Sequence, residues 1–127
     1  MNINPSIKSC AEDAVESIMR EVKSTKAVVI STEDGFEVAA KVQNAAQTSR
    51  LSAMASSFSA LGALVGEESQ LGQCNNVIID AAEGYILIMQ IRHPQLSLTM
   101  CVIAGNDSVM GQMLYFSKHA AQTIANA

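Results

Sequence analysis

The sequence predicts an α+β domain with the element order αββαβββα, built on one five-stranded antiparallel sheet. Segments with helical periodicity occur at both ends and in the middle of the chain. The strand-like segments between them are separated by short turns, which favour antiparallel pairing. Three helices can cover both faces of such a sheet, which gives a three-layer sandwich. The chain of 127 residues has the size of one domain, and we expect residues 1–127 to form it.

The first helix is predicted over about residues 5–24. Asn4 can cap its N-terminus, and Pro5 suits the first helical position because it has no backbone N–H to satisfy. Charged residues fall largely on one side of the helix. Apolar residues recur at helical spacing on the other side: Ile7, Ala11, Ala14, Ile18 and Val22. This pattern is typical of an amphipathic surface helix.

A β-hairpin follows the first helix. Residues 26–31 are β-rich in type, residues 33–35 (Glu-Asp-Gly) are a turn signal, and residues 36–42 alternate between apolar and polar side chains. Glu37 and Lys41 share one face of the second strand. Charges on a strand are typical of a sheet edge, so we expect this strand to be half-exposed at an edge.

The middle helix, predicted over about residues 47–69, has an unusual composition. It carries no charged residue from Leu51 to Gly66, whereas a solvated helix carries charge on its exposed face. Large residues form one row at spacings of three and four: Leu51, Met54, Phe58, Leu61 and Val65. Small residues form a second row at the same spacings: Ser52, Ala55, Ser59, Gly62 and Gly66.

We therefore expect two sides of this middle helix to pack against other parts of the structure. One side would lie on its own sheet, and the small-residue row could lie against a second subunit, because small side chains let another backbone approach closely. Alternatively, the small residues seat the helix tightly on its own sheet. The chain is 49% hydrophobic and only 16% charged, against about 25% charged in a typical domain. This apolar excess favours a homo-oligomer.

Three strands and a last helix complete the predicted fold. The strands are expected at residues 77–79, 85–91 and 96–104, and the helix at residues 109–126, with Asn106-Asp107-Ser108 as a possible cap. The strand 85–91 is almost wholly apolar, as expected for a strand that is covered on both faces.

The third strand, Val77–Ile79, is short and uncharged. At a free sheet edge such a strand would promote aggregation. It is therefore either central in the sheet or paired with the same strand of a second copy. A twofold axis at this strand would give an isologous interface and would also place the preceding small-residue helix in that interface.

Charge and cysteine patterns exclude several classes of function. The formal net charge is −4 and no basic cluster occurs, so we expect no nucleic-acid partner. Cys10, Cys74 and Cys101 form no CxxC pair, which argues against a zinc site or a disulfide framework. No apolar run approaches the ~18–20 residues that span a bilayer, and the N-terminus lacks the apolar core of a signal peptide. We expect a cytoplasmic protein without membrane insertion.

No arrangement of residues in the sequence indicates catalysis. A cysteine or serine could in principle be activated by His93 or His119, but no spacing ties a nucleophile to either histidine. The cysteines are better explained as small buried residues. The histidines lack the spacing of metal ligands. We therefore expect no enzymatic activity, no metal and no cofactor.

Segments that cover nearly the whole chain resemble the roadblock/light-chain-7 (LC7) family. They are VVISTEDGFEVAAKV (28–42), SRLSAMASSFSALGALVG (49–66), NNVIIDAAEGYILIMQI (75–91) and LSLTMCVIAGNDSVMGQMLYFSKHAAQTIA (96–125). The resemblance implies a sheet with the second helix on one face and the first and last helices on the other. It also implies a homodimer in which the third strands pair and the second helices pack together. Carried onto this sequence, the implied interface comprises Ser52, Ala55, Ser59, Gly62, Gly66, Val77, Ile78 and Ile79.

The same resemblance implies a function in protein–protein interaction. Members of the family regulate small GTPases, form scaffold subunits or serve as dynein light chains, and a bacterial member activates a Ras-like GTPase in gliding motility. A non-catalytic homodimer that binds a Ras-like small GTPase and modulates its GTP cycle is therefore the first hypothesis. The alternatives are a structural adaptor of a protein complex without effect on the nucleotide cycle and, third, a small-ligand sensor.

Overall fold

The structure is a computed structural model, and it describes residues 3–43 and 46–127. Three helices and five strands follow one another in the predicted order αββαβββα. They are α1 (Pro5–Glu21), β1 (Thr25–Thr32), β2 (Glu37–Val42), α2 (Ala46–Glu68), β3 (Asn76–Ala81), β4 (Gly84–Arg92), β5 (Ser97–Gly105) and α3 (Met110–Ala125).

The five strands form one sheet in the order β2-β1-β5-β4-β3. Every neighbouring pair is antiparallel. The sheet edges are therefore β2, as predicted from its charges, and β3. Strand β4 lies between β5 and β3, and its central residues Leu87, Ile88 and Met89 are buried, as its apolar sequence predicts.

The two faces of the sheet have cores of different size. Helices α1 and α3 pack together on one face over the main core, whose fully buried members include Ile18, Ile30, Leu87, Met100 and Ile124. Helix α2 lies on the other face, over a small cluster built on Ala55, Ile88 and Cys101. Most apolar burial thus lies under α1 and α3, and α2 is the less firmly packed layer.

The ends of two helices differ from the sequence prediction. Asn4 caps α1 as predicted, because its Oδ1 accepts a 2.8 Å hydrogen bond from Ser6 N. However, α1 ends at Glu21 rather than near residue 24, since Val22 is extended and Ser24 has a left-handed φ of 61°. The predicted cap of α3 is wrong: the capping position is Val109, which makes no side-chain cap.

Residues near the predicted α3 cap make a different contact. Asp107 accepts a 2.7 Å hydrogen bond from Ser24 Oγ. This bond, with help from nearby lysines, lowers the pKa of the Asp107 carboxyl group. Asp107 therefore links the turn before α3 to the turn after α1.

Candidate interaction surface

Among residues 47–68 of helix α2, whose side chains the structure describes, only the N-terminal part contains buried residues. Its buried residues are Thr48, Ser52 and Ala55, and no residue from Ser56 to Glu68 is buried. Five large apolar side chains of this helix are between 40% and 59% exposed: Met54, Phe58, Leu61, Leu64 and Val65. A single copy of the chain thus leaves most of the uncharged stretch of α2, from Leu51 to Gly66, facing solvent.

The small-residue row of α2 faces the helix's own chain. Ser52 and Ala55 are buried against the sheet. A Cβ at Gly62 would lie 2.8 Å from Cys74 Sγ, and one at Gly66 would overlap the Gly72 carbonyl oxygen. The row therefore seats α2 on its own sheet and on the segment before β3, which is the alternative that the sequence left open. Its contribution to an interface between copies stays a prediction.

The large-residue row borders an apolar groove between α2 and β3. Phe58, Leu61 and Val65 of the helix and Leu71 and Val77 beyond it line this groove of about 580 Å³. We call these five residues the apolar flank. Leu71 is 84% exposed and Leu61 is 57% exposed. Exposed apolar side chains in one contiguous strip indicate a protein-binding surface.

Strand β3 extends the apolar flank to the edge of the sheet. Within the described residues it pairs only with β4. Its residues from Asn76 to Ile79 are uncharged, and Ile78 is 44% exposed. An uncharged strand with one open side can accept another strand by main-chain hydrogen bonding. The predicted interface residues Val77, Ile78 and Ile79 therefore lie together at a free edge.

A second groove lies on the opposite flank of α2. It has a volume of about 800 Å³, and we call it the polar groove. Its floor consists of Gln90 and Arg92 of β4 and Ser97 and Thr99 of β5. Arg92 Nη2 also donates a 2.9 Å hydrogen bond to the Cys74 carbonyl oxygen. This bond ties the end of β4 to the segment that leads into β3.

Solved structures of known proteins share this arrangement of helices and strands. No protein-family model and no curated protein matches the sequence. A roadblock/LC7 domain from Streptomyces avermitilis matches with a TM-score of 0.82 at 15% identity, over 91% of this chain and 94% of that chain. The chain has the roadblock/LC7 fold.

Two gliding-motility proteins share this roadblock/LC7 fold with the chain. MglB from Myxococcus xanthus matches with a TM-score of 0.78 at 13% identity, over 99% of this chain and 91% of that one. The gliding protein MglB from Thermus thermophilus matches with a TM-score of 0.82 at 12% identity, over 98% of this chain and 92% of that one. The fold class and the resemblance stated from the sequence are confirmed at the level of the fold.

The side chains considered for catalysis are dispersed over the roadblock/LC7 fold. Cys101 is buried under α2, and burial raises the pKa of its thiol to about 12, so the thiol stays protonated at neutral pH. His93 Nε2 lies 2.7 Å from the Ala127 carbonyl oxygen, and His119 is exposed on α3. Among residues 3–43 and 46–127, no group of three or more His, Cys, Asp and Glu side chains could hold a metal ion.

Sequence reasoning missed the polar groove of this fold. The alternation of β5 places Ser97 and Thr99 on the face opposite Leu98 and Met100, and this was the available signal. Nothing in the sequence states which helix lies above that face or how far it stands from it.

None of the helices in the described part of the chain is both long and apolar enough to cross a membrane.

Proposed function

We propose that the chain is a non-catalytic homodimer that binds a Ras-like small GTPase and modulates its GTP cycle in the cytoplasm. One observation carries the proposal: the apolar flank of α2 is continuous with the free, uncharged edge of β3. The proposed dimer pairs β3 with β3 of a second copy about a twofold axis. Such a closed, isologous interface uses the same surface on both subunits.

Burial and hydrogen bonding both favour this dimer. Pairing covers exposed apolar side chains, and each Å² of apolar surface removed from water contributes about 25 cal/mol. The backbone groups on the open side of β3 gain partners across the axis. Helix α2 gains a second support along the stretch from Phe58 to Val65, where no residue is buried in the single chain.

This assignment revises which α2 residues meet the second copy. The large residues Phe58, Leu61 and Val65 are proposed to make the contact, and Ser52, Ala55 and Ser59 to support them from below. Gly62 and Gly66 hold the segment that leads into β3. The proposed β3 residues are unchanged: Val77, Ile78 and Ile79.

The GTPase partner is supported by the family resemblance and by the MglB proteins among the structural neighbours. The test is affinity capture with the tagged chain from the native host's lysate, run in parallel with GDP and with a non-hydrolysable GTP analogue. We expect a small GTPase to be retained preferentially with the analogue. The purified GTPase should then hydrolyse GTP at a rate that the chain changes by about tenfold or more, which is about 1.4 kcal/mol in the barrier.

Two outcomes would contradict this proposal. A retained GTPase whose hydrolysis rate is the same with and without the chain would favour the structural adaptor. Retention of other proteins irrespective of nucleotide would do the same. The variant Leu61→Asp serves as the control, because it disrupts the proposed dimer and leaves the main core under α1 and α3 intact.

A further inference from the structure

One segment of the chain forms a wall between the two grooves that flank α2. Residues 71–75 connect α2 to β3 without regular secondary structure. Gly72, Gln73 and Cys74 of this segment line both the polar groove and the apolar groove. We call residues 71–75 the shared wall. A sideways shift of the shared wall would widen one groove and narrow the other.

Helix α2 fixes the start of the shared wall. Leu71 N donates a 2.9 Å hydrogen bond to the Gly66 carbonyl oxygen, and Gly72 continues the chain with a left-handed φ of 86°. The helix also lies directly on the wall. A Cβ at Gly62 would lie 2.8 Å from Cys74 Sγ, and one at Gly66 would overlap the Gly72 carbonyl oxygen. These contacts leave the end of the wall, next to β3, to be held by other groups.

The end of the shared wall is held from strand β4. Arg92 Nη2 donates a 2.9 Å hydrogen bond to the Cys74 carbonyl oxygen, and Arg92 Nη1 lies 3.4 Å from Asn75 Oδ1. Gln90 N donates a 3.2 Å hydrogen bond to the Asn75 carbonyl oxygen. No ion pair among the described residues involves Arg92. Its guanidinium therefore keeps its donors for the wall, and a charged donor makes a stronger hydrogen bond than a neutral one.

The proposed dimer contact is built largely on this same wall. Every residue from 71 to 77 lines the apolar groove. Leu71 and Val77, two members of the apolar flank, lie at the first position of the wall and just beyond its last. The shape of the contact surface thus depends on where the wall lies. A surface that is already ordered before association loses less conformational entropy when the partner binds.

We propose that Arg92 is a positioning residue for the dimer contact. From the polar groove it holds the shared wall, so that Leu71 keeps its position relative to the β3 edge. This inference rests on the proposed function, because it assumes that two copies pair through the apolar flank and β3. Arg92 itself lies outside that contact, since it lines the polar groove but not the apolar groove. Without its guanidinium the wall has to be ordered during pairing, and self-association weakens.

Three substitutions test the role of Arg92 by sedimentation equilibrium. Arg92→Gln removes the guanidinium, and Arg92→Lys keeps a charged donor for the Cys74 carbonyl oxygen. The matched control Arg50→Gln removes the same charge at an exposed position of α2 that lines neither groove. Amide NMR spectra of Arg92→Gln are recorded together with Leu61→Asp, which breaks the proposed dimer. Changes in the wall are then observed in single copies of the chain.

We expect Arg92→Gln to weaken self-association by about tenfold, because a charge-assisted hydrogen bond is lost. Arg92→Lys should restore most of the association, and Arg50→Gln should change it by less than about twofold. In the Leu61→Asp background, Arg92→Gln should shift the amide resonances of Cys74 and Asn75. The resonances of the main core under α1 and α3 should stay in place, which also reports that the variant is folded.

Each contrary result has a separate meaning. Equal association of Arg92→Gln and Arg50→Gln, in a wild-type chain that does dimerise, would overturn the positioning role and leave the proposed dimer standing. A wild-type chain that stays monomeric at every concentration would contradict the proposed dimer and this inference with it. Amide shifts that spread through the main core would show that Arg92 stabilises the whole fold rather than the shared wall, and would also overturn the proposal.

Discussion

The two edges of the sheet differ in how they are protected. At the β2 edge, Lys8 of α1 donates a 3.0 Å hydrogen bond from Nζ to the Val38 carbonyl oxygen, and Lys41 Nζ lies 3.8 Å from Glu16 Oε1. The β2–β1 register is also interrupted by an irregularity at Ile30 and Ser31. At the β3 edge, the residues from Asn76 to Ile79 carry no charge and pair with β4 in unbroken register.

The β2 edge therefore avoids pairing with another strand, whereas the β3 edge is available for such pairing. Charges, irregular register and side chains that occupy main-chain groups are the devices by which proteins prevent edge-to-edge association. The β2 edge has all three, whereas the first four residues of β3 carry no charge and pair with β4 in unbroken register. The carbonyl oxygen of Asn76, the first residue of β3, accepts a hydrogen bond from Cys74 Sγ. The apolar flank adjoins β3 alone. The proposed self-association is therefore expected at the β3 edge.

The largest effect is expected from a charge placed in the apolar flank. Leu61→Asp should weaken self-association by about a hundredfold, close to 2.8 kcal/mol, because the carboxylate would lose its hydration inside the contact. The control is Leu64→Asp, since Leu64 is similarly exposed on the same helix but lines neither groove. Sedimentation equilibrium of both variants measures the effect. Equal weakening by Leu64→Asp would show that the flank is assigned to the wrong side of α2.

The second prediction concerns the close approach of α2 to the segment before β3. Gly62→Ala should lower the free energy of unfolding by about 1–3 kcal/mol, because the new methyl group meets Cys74 Sγ at 2.8 Å and Val77 Cγ2 at 3.0 Å. The matched control is Gly111→Ala, where no atom lies within 4 Å of the added Cβ. Denaturant unfolding should show this control to be neutral or slightly stabilising. A neutral Gly62→Ala would contradict the tight seating of α2.

The β3 edge itself provides the third prediction. Ile78→Lys should weaken self-association by about tenfold, since edge lysines oppose strand pairing and the side chain is already partly exposed. The corresponding change at the other edge, Glu37→Lys, should leave the association constant unaltered. Light scattering over a concentration series compares the two variants. A larger effect at Glu37 than at Ile78 would reverse the roles that we assign to the edges.

The smallest effect is expected from removing the hydrogen bond that Lys8 donates to β2. Lys8→Met takes away the hydrogen bond to Val38 and should reduce stability by about 1 kcal/mol or less. One lost contact should not expose the edge, because Glu37 and Lys41 stay in place, so the oligomeric state should not change. Thermal unfolding and light scattering measure the two quantities. Formation of larger assemblies by Lys8→Met would mean that the lysine alone protects this edge.

The contrast between the edges could be predicted from the sequence in part. Local patterns decide each element, so the order of helices and strands and most of their ends were predictable. The charges of β2 and the uncharged Asn76–Ile79 were visible as well. The end of α1 was misplaced, because Val22 continues the apolar helical spacing although its backbone is extended. Nothing local marks Ser24 as left-handed.

The orientation of α2 could not be predicted from its sequence. Polarity normally distinguishes the buried side of a helix from the exposed side, but both rows of α2 are uncharged and differ only in size. Ser52 and Ala55 face the sheet and Leu61 faces solvent, the reverse of the usual preference for burying large residues. Which row of α2 lies against the sheet depends on the distance between α2 and the strands, and that distance is a property of the assembled fold. The polar groove escaped detection for the same reason.

Amide hydrogen exchange of the two edges, measured by NMR at increasing protein concentration, tests the central claim most directly. We predict that the amides on the open side of β3, within Asn76–Ile79, become protected as the concentration rises, because a second copy supplies their hydrogen-bond acceptors. The open-side amides of β2 should exchange at the same rate throughout. Equal and concentration-independent exchange at both edges would contradict self-association through β3.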